Sequence, residues 1–523
     1  MIQNHPGKTA AAGQASHVDF RFSLLPRRNR KEGFLLMKSL RFAHLLFSTV
    51  LSLGLVGCGI SGGSAASATA DTAAAGTAAG ASSDAAWKTL HDAYVYTFPL
   101  VIMRATMDKM TNTVTATSTQ APVNQLIHAA GLATAESRSV VTPNVDTVYT
   151  QLCLDLRQDA VVMEKPAAGR FFSFEVLDAY TNCVQVLGTG GDGDEARTYL
   201  FTGPNFAGAV PAGMTRVALP TSMAWVIGRT LCAGQDDLAN VRAIQSKMRA
   251  MPLAQYQRGD TAPAQGSYDP ARDFVPVEHV LGLSPADYFT LANELLADNP
   301  PADADAPLMA ELKTISVGPG LSFDPAVLGD PDAAAARWKA MLRDLRAELN
   351  ADSQQYMSQN GVWSFFGSPI AEFGTAYEYR ALVALAGLGA NPVSVALYPK
   401  TGTDSAGAAL TGAKRYVLHF DAGALPPVAE GGFWSVTAYR DADDLLIDNP
   451  IDRYCINDRS PFVKNADGSL DLYLQSDPPA DPALAPNWLP TGTEGFHLYL
   501  RIYLPGKAVL DGSWSAPSIN VAA

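Results

Sequence analysis

Apolar residues first recur with helical spacing at Trp87, Leu90, Tyr94 and Val101, which share one face of a helix capped near Asp84 and kinked at Pro99. This helix is expected to lie on the first sheet. Between residues 140 and 230 the period shortens to two. Phe172, Phe174 and Val176 alternate with Ser173 and Glu175, and Gly, Pro and Asn punctuate the runs, a pattern that predicts an antiparallel β-domain.

Helical signals then return. Ser284-Pro285-Ala286-Asp287 is a capping sequence with proline at the first helical position. Trp338, Leu342, Leu345 and Leu349 form an apolar stripe at helical spacing, and a further helix over about 375–386 stops at Gly387 and Gly389, ahead of Asn391-Pro392. The last part alternates again over 416–420, 433–439, 470–474 and 496–504, as a sheet with one buried face does. The pattern predicts an α+β, mainly β fold: two antiparallel β-sandwich or jelly-roll-like domains joined by a helical segment. The expected divisions are a signal region 1–57, an anchor and linker 58–86, an N-terminal β-domain with its leading helix 87–240, a mainly helical segment 241–390 and a C-terminal β-domain 391–523.

The chain's beginning carries export chemistry. Lys38 and Arg41 precede an uncharged apolar run over 45–55, a secretory signal too short for a stable membrane span. Leu55-Val56-Gly57-Cys58 follows and resembles the bacterial lipobox, in which the cysteine thiol accepts diacylglycerol. This predicts cleavage before Cys58 and a true start at Met37. Residues 59–83 are almost all Ala, Gly, Ser and Thr, which predicts a flexible tether. With no Asp after Cys58, the expected location is the cell envelope, on a periplasm-facing lipoprotein of the outer membrane.

Composition narrows the remainder. The chain is 47% hydrophobic and 17% charged, enough to bury sizeable cores, and its net charge of −13 speaks against nucleic acid as a partner. Basic residues concentrate before position 58, so the mature chain is more acidic still. Cys153, Cys183, Cys232 and Cys455 allow one or two disulfides in an oxidising compartment, with buried free thiols as the alternative. CxxC and HExxH are absent from the sequence, the G-x-S-x-G match at 59–63 falls in the small-residue tether and makes no nucleophile elbow, and neither a metal nor a cofactor is implied. The run 188–193 fits G-x-G-x-x-G but leads into Thr198-Tyr199-Leu200-Phe201, a strand, so it predicts a β-turn.

Two sets of residues look familiar. Thr142-Pro143-Asn144-Val145-Asp146-Thr147-Val148-Tyr149, with Arg170-Phe171-Phe172 and Asp178-Ala179-Tyr180-Thr181, resembles the bacterial domain of unknown function 1254. Phe433-Trp434-Ser435-Val436-Thr437, the run 448–454, Asp467-Gly468-Ser469-Leu470 and Asn487-Trp488-Leu489-Pro490 resemble its usual partner, the domain of unknown function 1214. The resemblance implies two β-domains with a helical insert and leaves activity open.

Candidate chemistry gathers in the last domain. One face of the terminal strand carries His497, Tyr499, Arg501 and Tyr503, and the strand before it in sequence offers Asp471, Tyr473 and Gln475. Such a face suits a polar or anionic ligand, or else serves as an interface. His419 is expected to be an exposed strand histidine. An Asp448/Arg453 pair would stay ionised and either orient a ligand or pin its loop. Asn144 and Asp146 either organise a turn or meet that loop across a domain boundary.

The expected catalytic residues are therefore Asp146, Tyr439, Asp448, Arg453 and Arg501. Asn144, Tyr149, Asn449, Tyr473, Tyr499 and Tyr503 are expected to bind ligand, and Cys58 to carry lipid. The leading functional expectation is an envelope lipoprotein that binds, and processes by hydrolysis or acid–base chemistry, a small polar or glycan-like molecule between the β-domains. The alternative is a non-catalytic interaction or assembly module, with a homo-oligomer left open.

Overall fold

Nine strands rich in β-branched and aromatic residues build the first domain: β1 (Leu126–His128), β2 (Thr147–Asp155), β3 (Val161–Lys165), β4 (Phe172–Asp178), β5 (Cys183–Gly188), β6 (Arg197–Thr202), β7 (Met214–Ala218), β8 (Met223–Leu231) and β9 (Arg249–Pro252). The computed structural model describes residues 76–138 and 141–522. Cys58 and the signal region lie outside the described residues. The first sheet has the order β1-β2-β8-β4-β5 and the second β7-β6-β3-β9. Alternation sends Leu152, Phe172, Phe174 and Val226 of the first onto Val161, Met163, Tyr199 and Phe201 of the second, which closes a sandwich.

The second domain repeats the plan with β10 (Met357–Asn360), β11 (Trp363–Phe366), β12 (Ala396–Leu397), β13 (Lys400–Thr401), β14 (Tyr416–Phe420), β15 (Val428–Arg440), β16 (Cys455–Asn457), β17 (Leu470–Gln475), β18 (Trp488–Pro490), β19 (Phe496–Pro505) and β20 (Ile519–Val521). The third sheet runs β10-β11-β13-β19-β15-β16, with β12 also on β19, and the fourth runs β18-β17-β14-β20. Trp434, Val436, Leu498 and Leu500 of the third meet Tyr416, Leu418, Leu472 and Leu474 of the fourth.

A helical layer covers the outer face of the first sheet. It comprises α1 (Gly76–Met110), α2 (Pro276–Leu281), α3 (Pro285–Asp298), α4 (Pro331–Asp352) and α5 (Tyr377–Ala386). Tyr94, Phe98 and Val101 of α1 share a core with Cys153, Trp225 and Ile227 of the sheet and with Tyr288 and Trp338 of α3 and α4, so the expected helix-on-sheet packing holds. Ser284 caps α3 by accepting from the Asp287 amide at 3.2 Å, with Pro285 in the first turn. Gly387 follows α5 as the punctuation predicts.

Several expectations need correction. Helix α1 starts at Gly76 and continues through Asp84 and Pro99, so the last part of the expected tether is helical, as its Ala content favours. Asp84 pairs instead with Arg337 of α4 at 2.8 Å. The first sandwich runs past residue 240, because β9 pairs with β3, and β10 and β11 join the third sheet from inside the segment expected to be helical. Strand β17 is not beside β19: it belongs to the fourth sheet, so Asp471 and Tyr473 lie away from the Arg501 face. Each sandwich also holds one parallel pair, β6 with β7 and β17 with β18, among otherwise antiparallel neighbours. All four described cysteines are free thiols, the alternative that their spacing leaves open.

Candidate functional site

The face of the third sheet turned away from its own core is polar because the pleat alternates. Directly opposed pairs Ser435–Arg501, Thr437–Tyr499 and Tyr439–His497 line β15 and β19, and Asn457 and Cys455 of β16 lie opposite Ser435 and Thr437. Sequence periodicity predicts the β19 half of this face correctly.

What covers the face is the segment 142–147 from the first domain. Asn144 Oδ1 accepts from the amides of Asp146 (2.7 Å) and Thr147 (3.2 Å), the turn expected of Asn at that place. Asn144 Nδ2 donates to the Tyr503 hydroxyl at 2.6 Å, and the Tyr439 hydroxyl donates to the Pro143 carbonyl at 2.7 Å. Thr142 has φ +43°, uncommon for a β-branched residue. Two contacts hold it there: its amide donates to the Asp444 carbonyl at 2.7 Å, and Arg501 Nη2 donates to its own carbonyl at 2.9 Å.

Asp146 is the centre of the docking. Its side chain is 0% exposed. Ser435 Oγ donates to Oδ2 at 2.5 Å, while Arg459 Nη2 (3.2 Å) and Asn457 Nδ2 (3.5 Å) donate to Oδ1, with the Cys455 thiol 3.9 Å away. Arg501 is buried between the rings of Tyr439 (5.4 Å) and Tyr499 (5.3 Å). Burial opposes its charge, but Tyr439, Tyr503 and Asp146 outweigh that and hold the guanidinium pKa above its ordinary value. Burial likewise lifts the Tyr439 hydroxyl above the ordinary tyrosine range and pushes Tyr499 up to about 12. Tyr439 therefore keeps its proton, committed to a backbone carbonyl.

A second buried pair lies alongside, on the first sheet. Arg229 of β8 donates to Glu175 Oε2 of β4 at 3.0 Å and to Asn391 Oδ1 at 3.2 Å, and sits over the Tyr149 ring at 5.6 Å. Burial pushes the Glu175 carboxyl up to about 7, against the pull of Arg229. Glu175 Oε1, Arg229 Nε and Arg501 Nη1 are buried with no hydrogen-bond partner among the described residues. An apolar contact joins the two clusters, with Phe171 5.2 Å from Phe433 and 5.4 Å from Tyr503.

The structure thus brings together Asn144, Asp146, Tyr439, Tyr499, Arg501 and Tyr503, and sets Tyr149 close by. It does not bring in the others. Asp448 is exposed and does not pair with Arg453, which donates to the Ala485 (2.6 Å) and Trp488 (2.9 Å) carbonyls and so pins its loop through backbone. Asn449 organises the same loop by accepting from the amides of Ile451 and Arg453. Tyr473 stands on the fourth sheet. His419 is half-exposed and paired with Asp471 at 2.6 Å. Residues 188–193 form the expected turn, with Gly188, Gly190 and Gly193 at positive φ and Asp192 accepting from the Gly188 amide.

Ser435, Asn457, Arg459, Glu175 and Arg229 are the residues that sequence reasoning missed. Ser435 and Thr437 were detectable, since they alternate with Trp434 and Val436 on the strand that carries Tyr439. Arg459 had no local signal: only the fold carries it to Asp146. No group of three or more metal-ligating side chains gathers among the described residues. Two surface clefts are present, of ≈470 Å³ around Lys165 and Arg197 and of ≈260 Å³ around His128 and Met251, and neither is lined by a seam residue.

The geometry defines a class: an α+β protein in which a turn of one sandwich is locked into the polar sheet face of another. Residues 123–252 match the family model described as Protein of unknown function (DUF1254), and residues 395–507 match DUF1214. The chain pairs these two domains, in that order. The VPA0106 protein from Vibrio parahaemolyticus, 21% identical, has a solved structure that superposes with a TM-score of 0.62 over 84% of this chain and 100% of its own, a likeness of fold. A Burkholderia cenocepacia protein is 12% identical with a TM-score of 0.37, over 85% of this chain and 93% of that one. No curated protein matches the chain.

Proposed function

We propose that the protein is an envelope lipoprotein, held by lipid on Cys58, whose two sandwiches act as one rigid interaction or assembly module. The observation that carries this reading is the placement of Asp146. Every side-chain partner of its carboxylate comes from the other domain, and the carboxylate itself is fully buried. A carboxylate so enclosed serves to fix two domains better than to meet a substrate.

A second reading, the binding and acid–base processing of a small polar molecule in the seam, is favoured by one feature. Glu175 is a carboxyl near neutral pKa with an unpartnered oxygen beside a buried guanidinium. One measurement tests the anchor and a second separates the readings. Labelled palmitate should enter the wild-type chain and not Cys58→Ser, and failure of that labelling removes the envelope anchor. Incubation of the protein with an envelope metabolite extract should leave the metabolite profile unchanged. A metabolite consumed by wild type and spared by Glu175→Gln would replace the module reading with the second.

A further inference from the structure

We propose that the ≈470 Å³ cleft on the second sheet binds a compact oxyanion, either the carboxylate of an acidic sugar or a phosphate group. The cleft lies at one end of three adjoining strands, and none of its lining residues belongs to the Asp146 docking. Glu164 and Lys165 of β3, Arg197 and Thr198 of β6, Thr215 of β7 and Lys247 line it. In a chain of net charge −13, a concavity with three basic side chains and one acidic one is a local reversal of sign.

The single acid is already engaged elsewhere, since Glu164 pairs with Arg249 at 3.4 Å. Lys165 is 2% exposed, and its ammonium is held by the carbonyls of Gly193 (3.4 Å), Asp194 (3.3 Å) and Glu195 (2.9 Å), which fixes it beside the cleft within the field of the Asp192, Asp194 and Glu195 carboxylates but in no direct ion pair with them. Arg197 donates from Nη2 to the Asp192 carbonyl at 3.1 Å, with Nε 3.4 Å from Asp192 Oδ2 and Nη2 3.6 Å from Glu195 Oε2. Its Nε is buried and makes no hydrogen bond among the described residues. The amine of Lys247 is exposed and makes neither a hydrogen bond nor an ion pair with a described residue. Thr198 and Thr215 add hydroxyl groups that donate to oxygen. An incoming oxyanion would meet the fixed Lys165 charge, a guanidinium whose Nε makes no hydrogen bond among the described residues and the exposed, unpaired ammonium of Lys247.

The test is calorimetric titration of the whole mature protein, at low ionic strength, with inorganic phosphate in one arm and galacturonate in the other. Saturable binding of one of them, weakened about tenfold in Lys247→Glu and in Arg197→Gln, is expected, and the arm that binds names the source of the oxyanion. Lys247→Glu alters an exposed side chain, so its fold is secure, and an unchanged circular dichroism spectrum checks it. Absence of saturable binding in both arms overturns the proposal. So does binding of equal strength in wild type and Lys247→Glu, which would place the anion elsewhere.

Discussion

Ser435 Oγ donates to Asp146 Oδ2 at 2.5 Å across 289 positions of sequence, from the second sandwich to the first. With Arg459 and Asn457 on the other oxygen, it makes the seam a buried charge network in which removing one member strands the rest.

Asp146→Ala should therefore cost about 1–3 kcal/mol of stability, because it leaves the Ser435 and Asn457 donors without their carboxylate and Arg459 with Asp458 alone as its acid partner. Ser435→Ala removes one donor and should cost about 1 kcal/mol. Urea denaturation of the two single variants and the double variant measures both. The double variant should lose less than the sum, and strict additivity would mean that the two side chains act independently.

Glu175 sets a pH dependence whose sign follows from burial. Its folded pKa, about 7, lies above the ordinary 4.5, so the folded state binds the proton more tightly. The stabilisation from this group is full below the unfolded value and is lost as pH rises through about 7. Wild type should lose stability relative to Glu175→Gln between about pH 5 and about pH 8, as read from denaturation midpoints. His497 works in the other direction: burial lowers its pKa below 6.5, so its contribution falls as the medium turns acidic. Comparison with His497→Gln isolates that slope, which should flatten on the acid side only.

Gly228 lies in the middle of β8, and its place is set by contact. A Cβ there would come within 2.4 Å of the Phe174 ring and 2.8 Å of the Thr150 carbonyl oxygen. Gly228→Ala should destabilise the first sandwich by about 1–3 kcal/mol through overpacking. A melting temperature equal to that of wild type would contradict the packing described around Phe174.

The four free thiols predict a protein indifferent to reductant. Cys153 is buried and its thiol is pushed up to about 12, and burial also raises Cys183 and Cys455. Dithiothreitol should leave the melting temperature unchanged, and native labelling by iodoacetamide at neutral pH should be slow at all three. A reductant-induced drop would reveal a disulfide.

Local patterns made the strands and helices legible. The alternation over 496–504 correctly places His497, Tyr499, Arg501 and Tyr503 on one face, and the Ser284 cap and the stop at Gly387 fall where their residues predict. Strand neighbourhood was not legible. Strands β17 and β19 follow each other with only the short β18 between them, yet they belong to different sheets, because order within a sheet is settled by global packing and not by any local period. The same limit hid the partner of Asp146. An Asn and an Asp before a strand predict a turn, and they make one, but nothing local tells Arg459 that Asp146 is its acceptor. The Asp448/Arg453 pairing failed for a related reason: carbonyls of 485 and 488, unseen in any side-chain pattern, took the guanidinium.

The docked turn also bears on how the two halves could be handled apart. Cut anywhere between the sandwiches, the first would present to water a loop shaped to receive donors it no longer has, and the second a bare sheet of arginine, tyrosine and phenylalanine. Such a surface, newly wetted, invites self-association, and neither fragment would be a faithful sample of the intact molecule. The gene segment from α1 to β20 thus behaves as an indivisible unit for expression, and fusions or truncations are best placed outside it.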